Sequence, residues 1–176
     1  MVAGFYLYGI GLASLDSAAG ALGRKVDEHT LEYLNLEFYR INKALPLAYA
    51  YDLFEAERKM RVDVAEATKD YDIVLTPTMP CTALRHGTDA LSNRDLTPDD
   101  YIDADAATWA YGFVFSVTGQ PSVSLPLFQD SDGLPIGIQI AGRFGDEATL
   151  VRLARDLEEA IPWAARRPPI FAGSTE

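Results

Sequence analysis

Residues 2–15, VAGFYLYGIGLASL, carry no charge, and the apolar pattern runs on to residue 22. The pattern predicts a buried helix over 2–22 that stops at Gly23. Asp27 is placed to cap the next helix, with Glu28 in its first turn, where a carboxylate suits the helix dipole. Pro46 separates that helix from a long one over about 46–69. In the long helix Leu53, Met60, Val64 and Ala67 keep one face apolar. Glu55–Lys59 and Glu57–Arg61 are i,i+4 pairs in the favourable order.

The period then changes. In YDIVLTPTMP (71–80) the run Ile73-Val74-Leu75 is continuous rather than alternating, as in a strand buried on both faces, and Pro77 and Pro80 end it. Residues 81–97 read as a surface loop. Thr97-Pro98-Asp99-Asp100 is a helix start, with Thr as N-cap and Pro at the first position. A second helix is expected over about 105–117. SVSLPLF, QDSDG and LPIGIQIAG follow as strand, turn and strand, most simply an antiparallel hairpin. A turn from Gly142 to Gly145 leads into a helix over about 146–160. Leu150, Leu153, Ala154, Leu157 and Ile161 form its apolar face, and Arg152–Asp156 and Arg155–Glu159 lie opposite. PWAARRPP closes the chain as a proline-rich strap.

These elements make an α/β chain: a helical part over 1–70, a sheet-and-helix part over 71–160 and a strap over 161–176. Three strands are too few for a covered, doubly wound sheet. They read as one edge of a larger sheet.

Composition narrows the partners. The formal net charge of −11 argues against nucleic acid and anionic membranes, which both require a basic surface. The run over 2–15 is too short to span a bilayer, which takes about 20 residues, and it lacks the basic start of a signal peptide. The single cysteine, Cys81, excludes an intrachain disulfide. It fits a reducing, cytoplasmic setting.

Candidate chemistry is sparse. FSVTGQPSVSLPL (115–127) holds four hydroxyls, Ser116, Thr118, Ser122 and Ser124. A serine nucleophile needs a base in reach and donors for the oxyanion. The glycines of a nucleophile elbow do not flank any of these serines. Thr118-Gly119-Gln120-Pro121 reads as a turn and 122–125 as a half-buried strand. Cys81 and His86 sit in one loop without a group to orient the imidazole, and His29 sits in a charged segment. Two distant histidines do not make a zinc site. GIGLAS (9–14) lacks the third glycine of a dinucleotide-binding turn. DSDG (130–133) lacks the spacing of a calcium loop and reads as a hairpin turn. Arg143 beside a helix N-terminus could meet an anion, but capping by Asp146 with Glu147 is the simpler reading. Asp99, Asp100, Asp103 and Asp105 read as a solvated helix face. No metal and no cofactor are implied.

Four stretches occur together and in order: YDIVLTPT, FVFSVTGQPSVSLPL, DGLPIGIQIAGRFGDEATLVRLARDLE and IPWAARRPP. With GRKVDEHTLE (23–32), they resemble the carboxy-terminal portion of amidase-signature hydrolases over about residues 15–170. The resemblance implies helices packed on part of a mixed β-sheet. It also implies amide hydrolysis through a Ser–cis-Ser–Lys triad and an acyl-enzyme. The lysine and the GGSSGG-like signature of that triad belong to the amino-terminal half, and no such run is present. Lys25, Lys43, Lys59 and Lys69 all lie in or beside helices. No catalytic residue is therefore carried over. The resemblance places Thr78, Trp109, Phe113 and Phe115 in the substrate-cleft wall, and gives Gly119 and Pro121 a supporting role. Ser116 and Ser122 depart from the usual Asn and Ala.

Two functions follow as expectations. The chain is part of an amidase, completed on a small amide substrate by an amino-terminal half. Alternatively it is a non-catalytic remnant that binds a small molecule or a protein. Either way, its uncovered apolar surface makes self-association possible.

Overall fold

The computed structural model describes residues 11–12, 14–85, 93, 95–168 and 170–171. His86, residues 2–10 of the apolar run and the side chain of Asp105 lie outside the described residues. Helix α1 (Leu15–Ala21) ends where glycine was expected to end it. Gly23 adopts φ +63°, and the amides of Gly23 and Arg24 return to the carbonyls of Gly20 (3.1 Å) and Ala19 (2.8 Å). A left-handed residue at this position lets the chain satisfy the last helical carbonyls, and glycine adopts it without penalty.

Asp27 does not cap a helix. Its carboxylate accepts from the His29 amide at 3.0 Å, its own amide donates to Thr30 Oγ1 at 3.0 Å, and Thr30 donates on to the Lys25 carbonyl at 2.7 Å. This local network closes a single turn, and helix α2 (Tyr33–Ala44) begins after it. Asp16 ties α1 to α2. Its carboxylate accepts from the Tyr39 hydroxyl and the Lys43 ammonium, each at 2.5 Å.

Helix α3 (Leu47–Thr68) buries Leu53, half-buries Met60 and Val64, and leaves Ala67 exposed. Among its described ion pairs, Glu57–Arg61 forms at 3.5 Å. Glu55 instead meets Arg58 at 3.0 Å, one residue before the expected Lys59, which reaches Asp63. Residues three and four apart both lie on one helical face, so either partner is sterically open. Helix α4 (Pro98–Thr118) is one continuous helix, not two. Between 100 and 111 it contains no glycine or proline to break it. The Thr97–Asp100 capping box is complete: Thr97 Oγ1 accepts from the Asp100 amide, and the Asp100 carboxylate accepts from the Thr97 amide. Leu34, Tyr101 and Ile102 form a core between α2 and α4, with Phe38 edge-to-face on Tyr101.

The capping bonds hold the Asp100 carboxyl below its ordinary value, chiefly through the Thr97 hydroxyl. Asp16 is held low by Lys43 first and by Tyr39 second. Both shifts favour the ionised form. Their contribution is therefore present above the unfolded value of 3.8 and is lost as pH falls through the depressed folded values. Thr97→Ala is expected to remove about 1 kcal/mol. It should also flatten the acid limb of a stability-versus-pH curve. A Thr97→Ala chain that keeps the full acid limb would remove the cap from the account.

Strands β1 (Ile73–Pro77), β2 (Ser122–Gln129) and β3 (Pro135–Gly142) form an antiparallel sheet in the order β1-β3-β2. The expected hairpin is present. Asp130 shapes its turn by accepting from the amides of Asp132 and Leu134 at 2.9 and 2.8 Å, and Gly133 takes φ +80°. The alternating strands sort their side chains onto two faces. Ile138 and Ile140 of β3 meet Leu125 and Leu127 of β2 on one face, where Leu150, Leu153 and Leu157 of helix α5 (Glu147–Ala160) cover them together with Trp163. Asp146 caps α5, accepting from the Thr149 amide at 3.3 Å and the Thr149 hydroxyl at 2.9 Å. On the surface of α5, Arg155 pairs with Asp156 and Glu159, while Arg152 turns to Thr149 instead of Asp156.

The expectation that β1 is buried on both faces is not met. It is the sheet edge, and Leu75 is 61% exposed. α5 packs on β2 and β3; Ile73 joins that core from β1, while Leu75 stays open on the same face.

Candidate functional site

The second face of the sheet is polar. Thr76, Gln139 and Ser124 lie side by side across β1, β3 and β2. Gln139 is buried in the middle, and its amide donates to Thr76 Oγ1 (3.4 Å) and to the Tyr111 carbonyl of α4 (3.3 Å). Along the strands Thr78 Oγ1 and Ser124 Oγ share a hydrogen bond at 2.5 Å. Gly137 lies beneath that pair. A Cβ there would come within 2.7 Å of Thr78 Oγ1 and 3.0 Å of Ser124 Oγ.

Two cavities open on this face. One, of about 520 Å³, lies between the sheet, α3 and α4, and is lined by Glu57, Arg61, Thr78, Met79, Trp109, Gly112, Phe113, Ser116, Val117 and Gln139. The other, of about 610 Å³, lies between residues 77–83 and the hairpin, and Ser124, Pro126 and Gly137 form its far wall. Thr78 and Met79 line both, so the two cavities share one wall.

The structure brings Thr78, Trp109 and Phe113 together in the first cavity. Phe115 is not part of that lining: it is buried, 6% exposed. Along a helix, positions 109, 112, 113 and 116 share a face and position 115 points elsewhere. Gly119 takes φ +74° at the end of α4, and its amide returns to the Phe115 carbonyl at 3.0 Å. The Pro121 carbonyl accepts from the Gly142 amide at 2.9 Å, which starts the β2–β3 ladder.

Pattern reasoning missed Glu57, Arg61 and Gln139. Arg61 spans two helices, donating to the Val117 carbonyl at 2.8 Å, so the Glu57–Arg61 pair reaches the cleft. Gln139 did leave a signal, as the one polar residue inside PIGIQIAG.

Three of the four hydroxyls of the 115–127 segment are bonded, Ser124 to Thr78 as above. Ser116 donates to the Gly112 carbonyl at 3.1 Å, Thr118 to Gln120 at 3.2 Å, and Gln120 to the Gly142 carbonyl at 3.1 Å. Cys81 is exposed at the rim of the second cavity, and His29 is exposed. Arg143 is paired with Asp72 at 3.0 Å. Among the described residues no group of His, Cys, Asp and Glu could hold a metal ion, and no helix is long and apolar enough to cross a membrane.

A family model described as Amidase matches residues 5–151. The chain belongs to the amidase family. A putative amidase, AmiC, of Mycobacterium leprae is 35% identical over 173 residues, covering 91% of this chain and 34% of that protein. The 6-aminohexanoate-cyclic-dimer hydrolase of Paenarthrobacter ureafaciens is 41% identical over 96 residues, covering 54% of this chain and 19% of that one. A solved structure of a 6-aminohexanoate cyclic dimer hydrolase superposes with a TM-score of 0.85 at 28% identity, covering 93% of this chain and 35% of the other. The amidase chain thus spans about a third of the length of the AmiC relative and of that solved structure. Its helices and antiparallel strands are a portion of the amidase-signature α/β fold.

Proposed function

We propose that this chain is the part of an amide-bond hydrolase that forms one wall of the substrate cleft and braces the sheet beneath it. Nucleophile and general base come from residues outside the chain. The observation that carries this reading is the first cavity. It has an apolar wall of Met79, Trp109, Phe113 and Val117 around a few polar groups, Thr78, Gln139 and the Glu57–Arg61 pair. That is the make-up of a small-molecule site: apolar surface binds, and a few placed polar groups orient.

Among the described residues neither cavity holds a serine paired with a base. Ser116 Oγ is bonded to its own helix, and Ser124 Oγ to Thr78. Neither has a lysine or histidine partner among the described hydrogen bonds. In serine acyl transfer a base must take the hydroxyl proton as oxygen attacks the carbonyl, and water then releases the acyl group. The cleft wall described here can bind and orient the amide for those steps. Gly119 and Pro121 hold the turn that joins α4 to the sheet, and so fix the wall relative to the strands.

The test is complementation. The purified chain is expected to leave small aryl amides intact, since the members of a catalytic triad act as a unit. Mixed or co-expressed with the two-thirds of the Mycobacterium leprae relative that it does not match, it should yield turnover found in neither part. Cys81→Ala should leave that turnover unchanged. Leu125→Asp, which puts a charge into the core under α5, should abolish it. Turnover by the chain alone that vanishes in Ser124→Ala or Ser116→Ala would overturn the proposal.

A further inference from the structure

We propose that Gln139 Oε1 is the atom of the first cavity that reads a substrate N–H, so that the cleft takes uncharged primary and secondary amides and discriminates against the matching ester. The proposal rests on the functional reading above and names the substrate class of that same site.

The register sets Gln139 in the middle of the sheet, opposite Thr76 in β1 and Ser124 in β2. Strand alternation turns its side chain away from the core that holds Ile138 and Ile140, and toward α4. The residue is 7% exposed. Chemistry fixes which end of its amide points where. A backbone carbonyl can only accept, so the group that meets the Tyr111 carbonyl at 3.3 Å is the amino group Nε2, which also meets Thr76 Oγ1 at 3.4 Å. Oε1 is then the other end, and among the described residues nothing donates to it. It faces Gly112 of α4, where a Cβ would stand 3.9 Å from it. Glycine weakens a helix interior relative to alanine, and here it leaves the acceptor uncovered.

The other polar groups of the lining are already matched. Ser116 donates to the Gly112 carbonyl, Thr78 shares its hydrogen bond with Ser124, and Arg61 holds Glu57 and the Val117 carbonyl. The lining carries one carboxylate and one guanidinium, so it presents no net charge to an ionic ligand. What it lacks is a donor for Oε1, and a buried acceptor without a donor is unfavourable. An amide N–H supplies that donor. An ester of the same shape puts an oxygen lone pair in its place and leaves Oε1 unpaired. Trp109, Phe113, Met79 and Val117 take the apolar body of the ligand. The amide is planar and its N–H lies in the plane, so a bond along N–H leaves both faces of the carbonyl open to a nucleophile from outside this chain.

Acetanilide and phenyl acetate test the acceptor, since they share a shape and differ in the N–H. Titrated into the isotope-labelled chain and followed by nuclear magnetic resonance, acetanilide should shift the side-chain amino signals of Gln139. It should bind at least about tenfold more tightly than phenyl acetate, as expected when a buried polar group is left unpaired. In Gln139→Met that ratio should fall to about one. A glutamine with a merely structural role would change stability and not the ratio. Gly112→Ala keeps Gln139 and favours the helix, so the chain should stay folded while the new methyl group beside Oε1 weakens acetanilide binding.

Equal binding of the two probes, or a ratio that survives in Gln139→Met, would overturn the acceptor role. So would acetanilide binding that Gly112→Ala leaves unaltered, or the failure of acetanilide to shift Gln139, Trp109 and Phe113. The complementation above keeps the two readings apart. Turnover there without an N–H preference here sinks the acceptor and leaves the cleft wall standing, whereas no turnover there sinks the cleft wall itself.

Discussion

Ile140→Ala is expected to remove about 2–5 kcal/mol of folding stability, the usual range for emptying a fully enclosed aliphatic site. Ile140 is 0% exposed. It lies opposite Leu75 in β1 and Val123 in β2, and its side chain meets Leu125, Leu127 and Leu150 under α5. The loss has two parts, the transfer of the deleted methylenes and the cavity left because a central strand cannot collapse inward. Small domains are stable by only about 5–15 kcal/mol, so this one change takes a large share of what is available. Urea unfolding followed by circular dichroism measures it. Val151→Ala, on the open side of α5 with 69% exposure, serves as control and should stay within about 0.5 kcal/mol of the parent. If the two variants behaved alike, α5 would not be packed on the sheet as described.

The second large effect is expected at Gly137. Gly137→Ala places a methyl group 2.7 Å from Thr78 Oγ1 and 3.1 Å from Thr78 Cβ, both well inside contact distance. The strand backbone is pinned on both sides by β1 and β2, so Thr78 must move, and the Thr78–Ser124 hydrogen bond breaks. Overpacking of this kind costs about 1–3 kcal/mol. The functional consequence should be larger than the stability loss, because Thr78 lines both cavities and displacing it reshapes their shared wall. In the complemented enzyme the variant should lose turnover while still associating. Adding Thr78→Ala removes the closest contact and should recover part of the stability, a non-additivity expected only of touching residues. Strict additivity of the two changes would show that the clash lies elsewhere.

What the sequence could reveal was what is encoded locally. Thr97-Pro98-Asp99-Asp100 carries its own capping chemistry, and the helix starts there. QDSDG between two alternating runs carries its own turn, and the hairpin forms around it. Asp27 misled for the same reason. Its side chain is fit to cap, but Thr30 three residues on offers a competing set of bonds, and the choice between them is energetic, not compositional. A second helix was expected over about 105–117, but no glycine or proline between 100 and 111 ends the first, so the two are one. Leu75 is the instructive case. The run Ile73-Val74-Leu75 specifies a strand, but which side of a strand is covered depends on other segments and is not written in its own residues. The cleft was legible to the same degree. Trp109 and Phe113 share a helical face and could be grouped. Glu57 and Arg61 reach the site only because α3 packs beside α4.

The sheet order β1-β3-β2 also sets an order of events in time. β2, β3 and α5 follow one another in the sequence, so their pairing closes short loops and can form fast once those residues exist. Among the described strands β1 pairs with β3, a strand made long after it. On a growing chain Ile73-Val74-Leu75 therefore waits for this partner through the synthesis of α4 and β2. The interval in which the β3-facing side of the segment is open to aggregation or to a chaperone is set by translation, and it ends when residues 135–142 appear.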